Sequence, residues 1–192
     1  MATPSIVILG AGQLARMTAQ AAQRLGVRVT VVSAPGEDAP AAQVTPHHRV
    51  GDLEDPVFLE SLRGSGDVVT LENEFVPPSV LDRVEDMGVG VAPSSRALGV
   101  VRDKHTQKGC LRDAGIPVPA FVAVTDEAQV LRAGEALGWP LILKSRTHGY
   151  DGLGNARVDG PGDVAAALGR LRARSDVMAE AFVPFTAELA CT

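Results

Sequence analysis

The chain has 192 residues, of which 45% are hydrophobic and only 4% aromatic, and its formal net charge is −5. It has no basic run interleaved with aromatic residues and no apolar run near the roughly 18 residues of a spanning helix, so we expect neither nucleic acid nor a membrane as partner. Cys110 and Cys191 lack the spacing of a disulfide framework and no secretory signal is recognisable, which favours a cytoplasmic protein with reduced cysteines.

The first hundred residues alternate between strand-like and helix-like segments. Apolar runs predict strands at 5–10, 27–32, 67–70 and 88–91, with a short extended piece at 48–50. Helices are predicted at 12–26, from Asp55-Pro56 onward, and at 77–87. This alternation is typical of an α/β fold with parallel strands and right-handed crossovers.

The helix predicted at 12–26 carries an apolar stripe. Its apolar residues recur with the 3.6-residue helical period, with Thr18 as the one polar interruption, and we expect them to form the buried face. They are Leu14, Met17, Ala21, Ala22 and Leu25.

The pattern changes after Pro93. Residues 94–115 predict one long helical region or two helices, and Pro117-Val-Pro119 is typical of a linker. Beyond it, strands are predicted at 120–124, 140–144, 156–158 and 176–183, and helices at 126–137 and 162–172. Residues 185–192 predict a further strand that no turn or cap closes, so we expect the second unit to be cut short.

A first glycine motif, Gly10-Ala-Gly-Gln-Leu-Ala15, fits G-x-G-x-x-A between a strand and a helix. The glycines permit a tight turn, and the N–H groups at the helix N-terminus attract an anion. Dinucleotide binding also requires an acid at the end of the second strand, where this chain has Val31-Val-Ser-Ala34. NAD is therefore disfavoured and NADP left open, while a turn that needs only small residues is the alternative.

Two acidic residues follow the strand predicted at 67–70. Glu72 and Glu74 are two residues apart, so they share a face if the strand continues. They would lie at the C-terminal edge of the sheet, where open α/β sheets bind ligands, and can accept hydrogen bonds from an amine or sugar hydroxyls. A solvated loop explains the same residues equally well.

A second glycine motif, KSRTHGYDGLGN at 144–155, lies between two predicted strands and lacks the G-K-[ST] of a Walker loop. Its glycines can turn backbone N–H groups toward phosphate oxygens, and Lys144 and Lys104 can add positive charge. A flexible hairpin tip is the alternative. Farther on, the backbone of Glu180-Ala-Phe-Val183 can hydrogen-bond the edge of an adenine, and the Glu188 carboxylate can hold ribose hydroxyls. The E-x-x-V pattern alone is weak evidence, since it is common by chance.

Together these segments resemble the ATP-grasp superfamily, and within it the N5-carboxyaminoimidazole ribonucleotide synthetase family. The matching segments are collinear over nearly the whole chain: ILGAGQLARM, DVVTLENEFVP, DKHTQKGCLRDAGIPVP, LILKSRTHGYDGLGN and EAFVPFTAEL. The resemblance implies a Rossmann-like parallel-sheet pre-ATP-grasp domain at 1–100. It also implies linker helices and an ATP-grasp small subdomain with its glycine-rich loop at 101–179, and the start of a truncated ATP-grasp C-terminal subdomain at 180–192.

The resemblance further implies a homodimeric, ATP- and Mg²⁺-dependent ligase of purine biosynthesis. ATP would phosphorylate bicarbonate, and 5-aminoimidazole ribonucleotide would capture the carboxyphosphate or the CO₂ it releases. The implied ATP-binding residues are Lys104, Lys144, Gly149, Tyr150, Asp151, Gly152, Leu153, Gly154, Asn155, Glu180, Ala181, Phe182, Val183 and Glu188. The implied ribonucleotide-binding residues are Gly12, Gln13, Leu14, Glu72, Tyr150 and Asp151.

The chain departs from this family at two points. Leu153 stands where the family usually has Arg or Lys, which puts one cationic contact in doubt. The family also continues for roughly as many residues again, and that part carries the magnesium ligands, so no metal ligand is expected here and this chain alone is expected to be inactive. Another ATP-grasp ligase, such as formate-dependent glycinamide ribonucleotide transformylase or a biotin carboxylase subunit, and a non-catalytic nucleotide-binding module are the alternatives.

Overall fold

The structure, a computed structural model, describes residues 3–149 and 153–190. The chain divides into two compact units, Met1–Gly99 and Val100–Thr192. The predicted α/β class is confirmed, since one unit carries a parallel sheet and the other an antiparallel sheet. In the described ranges no helix is long and apolar enough to cross a bilayer.

The first unit is built on five parallel strands. They are β1 (Ser5–Leu9), β2 (Arg28–Ser33), β3 (His47–Val50), β4 (Val68–Leu71) and β5 (Gly90–Val91), in the spatial order β3-β2-β1-β4-β5. Its helices are α1 (Gln13–Arg24), α2 (Pro56–Glu60) and α3 (Pro78–Asp86), with a 3₁₀ turn at Pro40–Gln43, and α4 (Ser95–Val101) follows. The strand order changes direction at β1, and open α/β sheets bind ligands beyond the carboxyl ends of strands at such a point.

Both faces of the parallel sheet are buried. Alternate residues of β1 point to opposite sides, so Val7 and Leu9 join one core cluster and Ile8 joins the other. Helix α2 begins where the sequence predicts, because the Asp55 carboxylate accepts a 2.9 Å hydrogen bond from the backbone N–H of Val57.

The predicted buried face of α1 is wrong except at Ala22, which is partly buried and packs against the core. Leu14, Met17 and Leu25 are 58%, 57% and 81% exposed, whereas Ala15 and Ala19 are fully buried. Alanines let the helix axis approach the sheet closely, and a face of larger side chains would hold it away. The helix therefore has two apolar stripes, and the one with smaller side chains is the one that packs.

The second unit is a four-stranded antiparallel sheet with helices. Its strands are β6 (Phe121–Val124), β7 (Leu141–Ser145), β8 (Asn155–Val158) and β9 (Val177–Ala181), in the order β6-β9-β7-β8, and its helices are α5 (Lys104–Asp113), α6 (Glu127–Leu137) and α7 (Val164–Arg172). Leu141 and Leu143 lie in the core with α6 and α7. The alternate residues Ile142 and Lys144 therefore lie on the opposite face of the sheet.

The end of the described chain differs from the expectation of a further strand. Strand β9 ends at Ala181, whose N–H donates to the carbonyl of Ala120, and residues 182–190 form no strand. A strand is stabilised by hydrogen bonds to a neighbouring strand, and β9 is already flanked by β6 and β7. The residues beyond it have no such neighbour in the part of the chain that the structure describes.

Candidate functional site

The glycine turn between β1 and α1 is closed by the acidic side chain of the residue that follows β4. The Glu72 carboxylate accepts hydrogen bonds from the backbone N–H groups of Gly12 at 2.8 Å, Leu14 at 3.2 Å and Ala15 at 3.3 Å. These groups have no acceptor within a helix, and here Glu72 satisfies them. The anion-binding end of α1 is thus occupied by the chain's own carboxylate.

Glycine at position 10 follows from the same arrangement. Gly10 has φ +117°, and a Cβ there would lie 2.5 Å from the Cβ of Glu72. Any L-residue would be strained at that φ and would also collide with Glu72.

A cavity of about 510 Å³ opens beside this turn, at the carboxyl ends of the strands. Gly12 and Glu72 line it, whereas Gln13 and Leu14 are exposed on the first turn of α1. Its wall combines apolar and acidic side chains with exposed backbone, and the lining residues are Leu9, Gly10, Ala11, Gly12, Val32, Ala34, Glu37, Asp38, Gly51, Leu53, Glu72, Asn73, Phe75 and Val76. Such a wall suits a small ligand that donates hydrogen bonds.

Glu72 and Glu74 do not share a strand face, because the strand does not continue to them as that interpretation required. Strand β4 ends at Leu71 and the chain then turns, so Glu72 points to α1 while Glu74 is exposed. The turn is fixed locally by the Asn73 side chain, which accepts a 3.0 Å hydrogen bond from the N–H of Phe75.

Replacing Glu72 with alanine is expected to lower the free energy of unfolding by about 1–2 kcal/mol, because three backbone N–H groups at the start of α1 lose their acceptor. Urea or thermal unfolding measures this loss. Glu74→Ala is the matched control, since Glu74 is exposed. Equal destabilisation by the two variants would show that Glu72 does not cap the helix.

In the second unit, β7 and β8 carry the second glycine motif at their joined ends. The N–H of Ser145 donates to the carbonyl of Gly154 at 2.8 Å. A Cβ at Gly154 would overlap the backbone of Gly149, and a Cβ at Gly149 would meet the Nζ of Lys104. Lys104, the first residue of α5, donates from Nζ to the carbonyls of Gly149 at 3.1 Å and Ser145 at 3.4 Å. One of the two predicted phosphate-binding lysines therefore lies at the hairpin.

The second predicted lysine is held by a buried acid. Lys144 Nζ donates to Glu180 Oε1 at 2.8 Å, and Lys108 Nζ lies 2.7 Å from Glu180 Oε2. Water cannot reach Oε2, and its contact with Lys108 is an ion pair whose geometry is not that of a hydrogen bond. We call Lys108, Lys144 and Glu180 the carboxylate–lysine cluster. Lys108 was not predicted as a site residue, although its i, i+4 spacing from Lys104 on α5 is a signal that both share one helix face.

A second ion pair holds the start of α5 against the end of β7. The Asp103 carboxylate caps the helix, accepting from the N–H of His105 at 2.8 Å, and it also pairs with the Arg146 guanidinium. Partial burial raises the pKa of Asp103, but the hydrogen bonds from Arg146 and from the helix N–H groups outweigh it and lower the pKa overall. Because the N–H of Lys104 also donates to the carbonyl of Arg146, this pair positions Lys104.

The Asp103–Arg146 pair is expected to stabilise the fold above about pH 4, where an unfolded aspartate is ionised. The pKa of Asp103 is lower in the folded protein than in the unfolded chain, so the stabilising contribution is lost as the pH falls through the folded pKa. Asp103→Asn keeps a capping oxygen but removes the charge. The stability difference between wild type and this variant, measured by urea unfolding over a range from about pH 5 into the acid region, should shrink as the pH falls below about 4. A constant difference over that range would contradict the assignment.

The remaining predicted residues are placed differently. Leu153 is 57% exposed, Asn155 is exposed at the start of β8, and Val183 and Glu188 are exposed beyond the end of β9. Phe182 lies under the guanidinium of Arg157, whose Cζ is 4.7 Å from the ring centre, a pair that the sequence does not signal. The predictions for Tyr150, Asp151 and Gly152 lie outside the described residues.

Each of the two units matches the profile of a known protein family. Residues 1–102 match the profile described as the ribonucleotide synthetase preATP-grasp domain, and residues 109–192 match the ATP-grasp domain. The chain belongs to the ribonucleotide synthetase family of ATP-grasp proteins. The resemblance seen in the sequence is therefore confirmed at the level of the family.

Several proteins are similar to nearly the whole chain. An N5-carboxyaminoimidazole ribonucleotide synthase from Pseudomonas aeruginosa is 38% identical over 184 residues, which are 96% of this chain and 50% of that protein. A carboxyaminoimidazole ribonucleotide synthase from Aspergillus clavatus, solved with ATP, is 34% identical with a TM-score of 0.85, and the match covers 96% of this chain and 48% of that one.

A second structure from Aspergillus clavatus contains ADP and 5-aminoimidazole ribonucleotide. It is also 34% identical, with a TM-score of 0.83 over 96% of this chain and 48% of that one. The chain thus spans about half the length of these relatives.

Proposed function

We propose that the natural protein carrying this sequence uses ATP and bicarbonate to carboxylate the exocyclic amine of 5-aminoimidazole ribonucleotide, as a cytoplasmic homodimer. The observation that carries the proposal is the close-packed glycine hairpin of the second unit, with Lys104 on its backbone carbonyls and Lys144 on the strand that leads into it. The names of the relatives, and the ribonucleotide bound by one of them, favour this substrate.

The two substrates are assigned to different units. We assign the phosphates of ATP to Lys104, Lys144 and the hairpin of residues 149–155, with adenine on Glu180–Val183 and ribose on Glu188. We assign 5-aminoimidazole ribonucleotide to the cavity beside Glu72, whose acidic wall suits its amine and hydroxyl donors. Tyr150 and Asp151 are assigned to the same substrate through the family resemblance alone.

The chemistry asks the protein mainly for positioning and charge neutralisation. A bicarbonate oxygen attacks the γ-phosphorus of ATP, and ADP leaves. The amine nitrogen then attacks the carboxyl carbon of carboxyphosphate, the C–O bond to phosphate breaks, and the nitrogen loses a proton. Lysines around the phosphates stabilise the negative charge of the transferring group, and exclusion of water by the hairpin protects the short-lived carboxyphosphate.

Magnesium is also expected of an ATP-dependent ligase of this kind. In residues 3–149 and 153–190, no group of three or more His, Cys, Asp or Glu side chains is placed to hold a metal ion. The steps above use only lysines and backbone groups of this chain.

The assay that tests the proposal measures ADP release by the natural protein with bicarbonate and either 5-aminoimidazole ribonucleotide or glycinamide ribonucleotide. We expect ADP release that depends on the first ribonucleotide, with incorporation of labelled bicarbonate. ADP release indifferent to 5-aminoimidazole ribonucleotide would contradict the proposal. Dependence on glycinamide ribonucleotide with formate would favour the transformylase instead.

A further inference from the structure

The carboxylate–lysine cluster contains one more cation than its single acid needs. Glu180 is 7% exposed at its side chain, and each of its two oxygens lies against a different lysine. A buried carboxylate is strongly destabilising when it loses its partner, but one cation is enough to balance its charge. The second lysine is therefore available for another anion.

The two lysines are not equivalent. Lys144 belongs to β7, one residue before Ser145, whose N–H joins the glycine hairpin, and its side chain is 23% exposed. Lys108 comes from α5, is 17% exposed, and faces the oxygen of Glu180 that water cannot reach. Only Lys144 is attached to the strand that leads directly into the hairpin.

We infer that Lys108 is a positioning residue, the permanent counter-ion of Glu180, which allows Lys144 to exchange between Glu180 and a nucleotide phosphate. In the free protein Lys144 stays on Glu180 Oε1. When a phosphate arrives, Lys144 moves to it, and Lys108 keeps the buried carboxylate neutralised. The inference rests on the phosphate role proposed for Lys144, and it assigns to Lys108 a role without contact to the nucleotide.

Loss of Lys108 has a defined consequence. With Lys108 replaced by methionine, Lys144 is the only cation left on Glu180, and its departure would leave a buried charge unpaired. We expect ADP affinity of the natural protein to fall about tenfold in Lys108→Met, and less than about twofold for the same change in a Glu180→Gln background. A lysine that served only the packing of α5 would give the same loss in both backgrounds.

The experiment is a double-mutant cycle on Lys108→Met and Glu180→Gln, with ADP titrated calorimetrically and Lys108→Arg as the charge-conserving variant. We expect the Glu180→Gln background to remove most of the loss of ADP affinity caused by Lys108→Met. We also expect Lys108→Arg to retain the wild-type affinity. Equal losses in both backgrounds would overturn the inference while the proposed function stands. A wild-type protein that binds no ADP would overturn both.

A measurement on the wild-type protein covers the case in which a variant does not fold. Lysine ¹⁵Nζ resonances report the hydrogen bond between Lys144 Nζ and Glu180 Oε1 in the free protein. We expect ADP to abolish the correlation between Lys144 Nζ and the Glu180 carboxylate and to leave the Lys108 signal unchanged. Persistence of the Lys144 correlation at saturating ADP would overturn the exchange.

Discussion

Replacing Lys144 with methionine is expected to weaken ATP binding by the natural protein about 30- to 100-fold, which corresponds to roughly 2–3 kcal/mol for a charge-assisted contact to phosphate. The fold should survive, because Lys108 still neutralises the buried carboxylate of Glu180. Methionine keeps most of the aliphatic length of lysine, so the variant removes the charge with little loss of packing.

The measurement is a calorimetric titration with ATP, accompanied by urea unfolding to establish that the variant is folded. Arg174→Ala is the control, since it removes one exposed positive charge just beyond α7. The control should leave the affinity within about twofold of wild type. If both variants lost affinity equally, general electrostatic attraction would explain the result, and Lys144 would have no direct phosphate contact.

The elements of the first unit follow from local patterns, because buried parallel strands are short apolar runs and the capped helix α2 opens with Asp55-Pro56. The buried side of α1 does not follow in the same way. Two apolar stripes run along that helix, and the choice between them depends on how near the sheet lies. That distance favours Ala15 and Ala19 over Leu14 and Met17, and periodicity carries no information about it.

In the candidate sites, too, local sequence predicts some features and tertiary contacts decide the others. Glycine spacing and the two lysines predict a hairpin with positive charge, and the structure has a hairpin with Lys104 on its carbonyls. The partners of Glu180 depend on strand register and on the side from which α5 approaches, so the sequence does not reveal them. In the same way, Glu72 caps a helix 60 residues earlier in the chain, a contact that only the parallel pairing of β1 with β4 creates.

Replacing Gly154 with alanine is expected to destabilise the second unit by about 1–3 kcal/mol, the typical cost of overpacking. A Cβ at Gly154 would overlap the Cα of Gly149 across the hairpin, and the carbonyl of Gly154 is the acceptor for the N–H of Ser145. Separating the two glycines also moves the Gly149 carbonyl away from Lys104. We therefore expect ATP binding to fall together with stability.

Gly160→Ala and Gly169→Ala are the matched controls, because a Cβ at either position meets no atom within 4 Å. Gly160→Ala should leave the free energy of unfolding nearly unchanged. Gly169→Ala, inside α7, should raise it by up to about 1 kcal/mol because alanine has the better helix propensity. If Gly154→Ala were as stable as Gly160→Ala, the hairpin would be open rather than close-packed. Normal ATP binding in a destabilised Gly154→Ala protein would instead separate the two effects, and would show that the close approach of Gly149 and Gly154 serves the fold rather than the nucleotide.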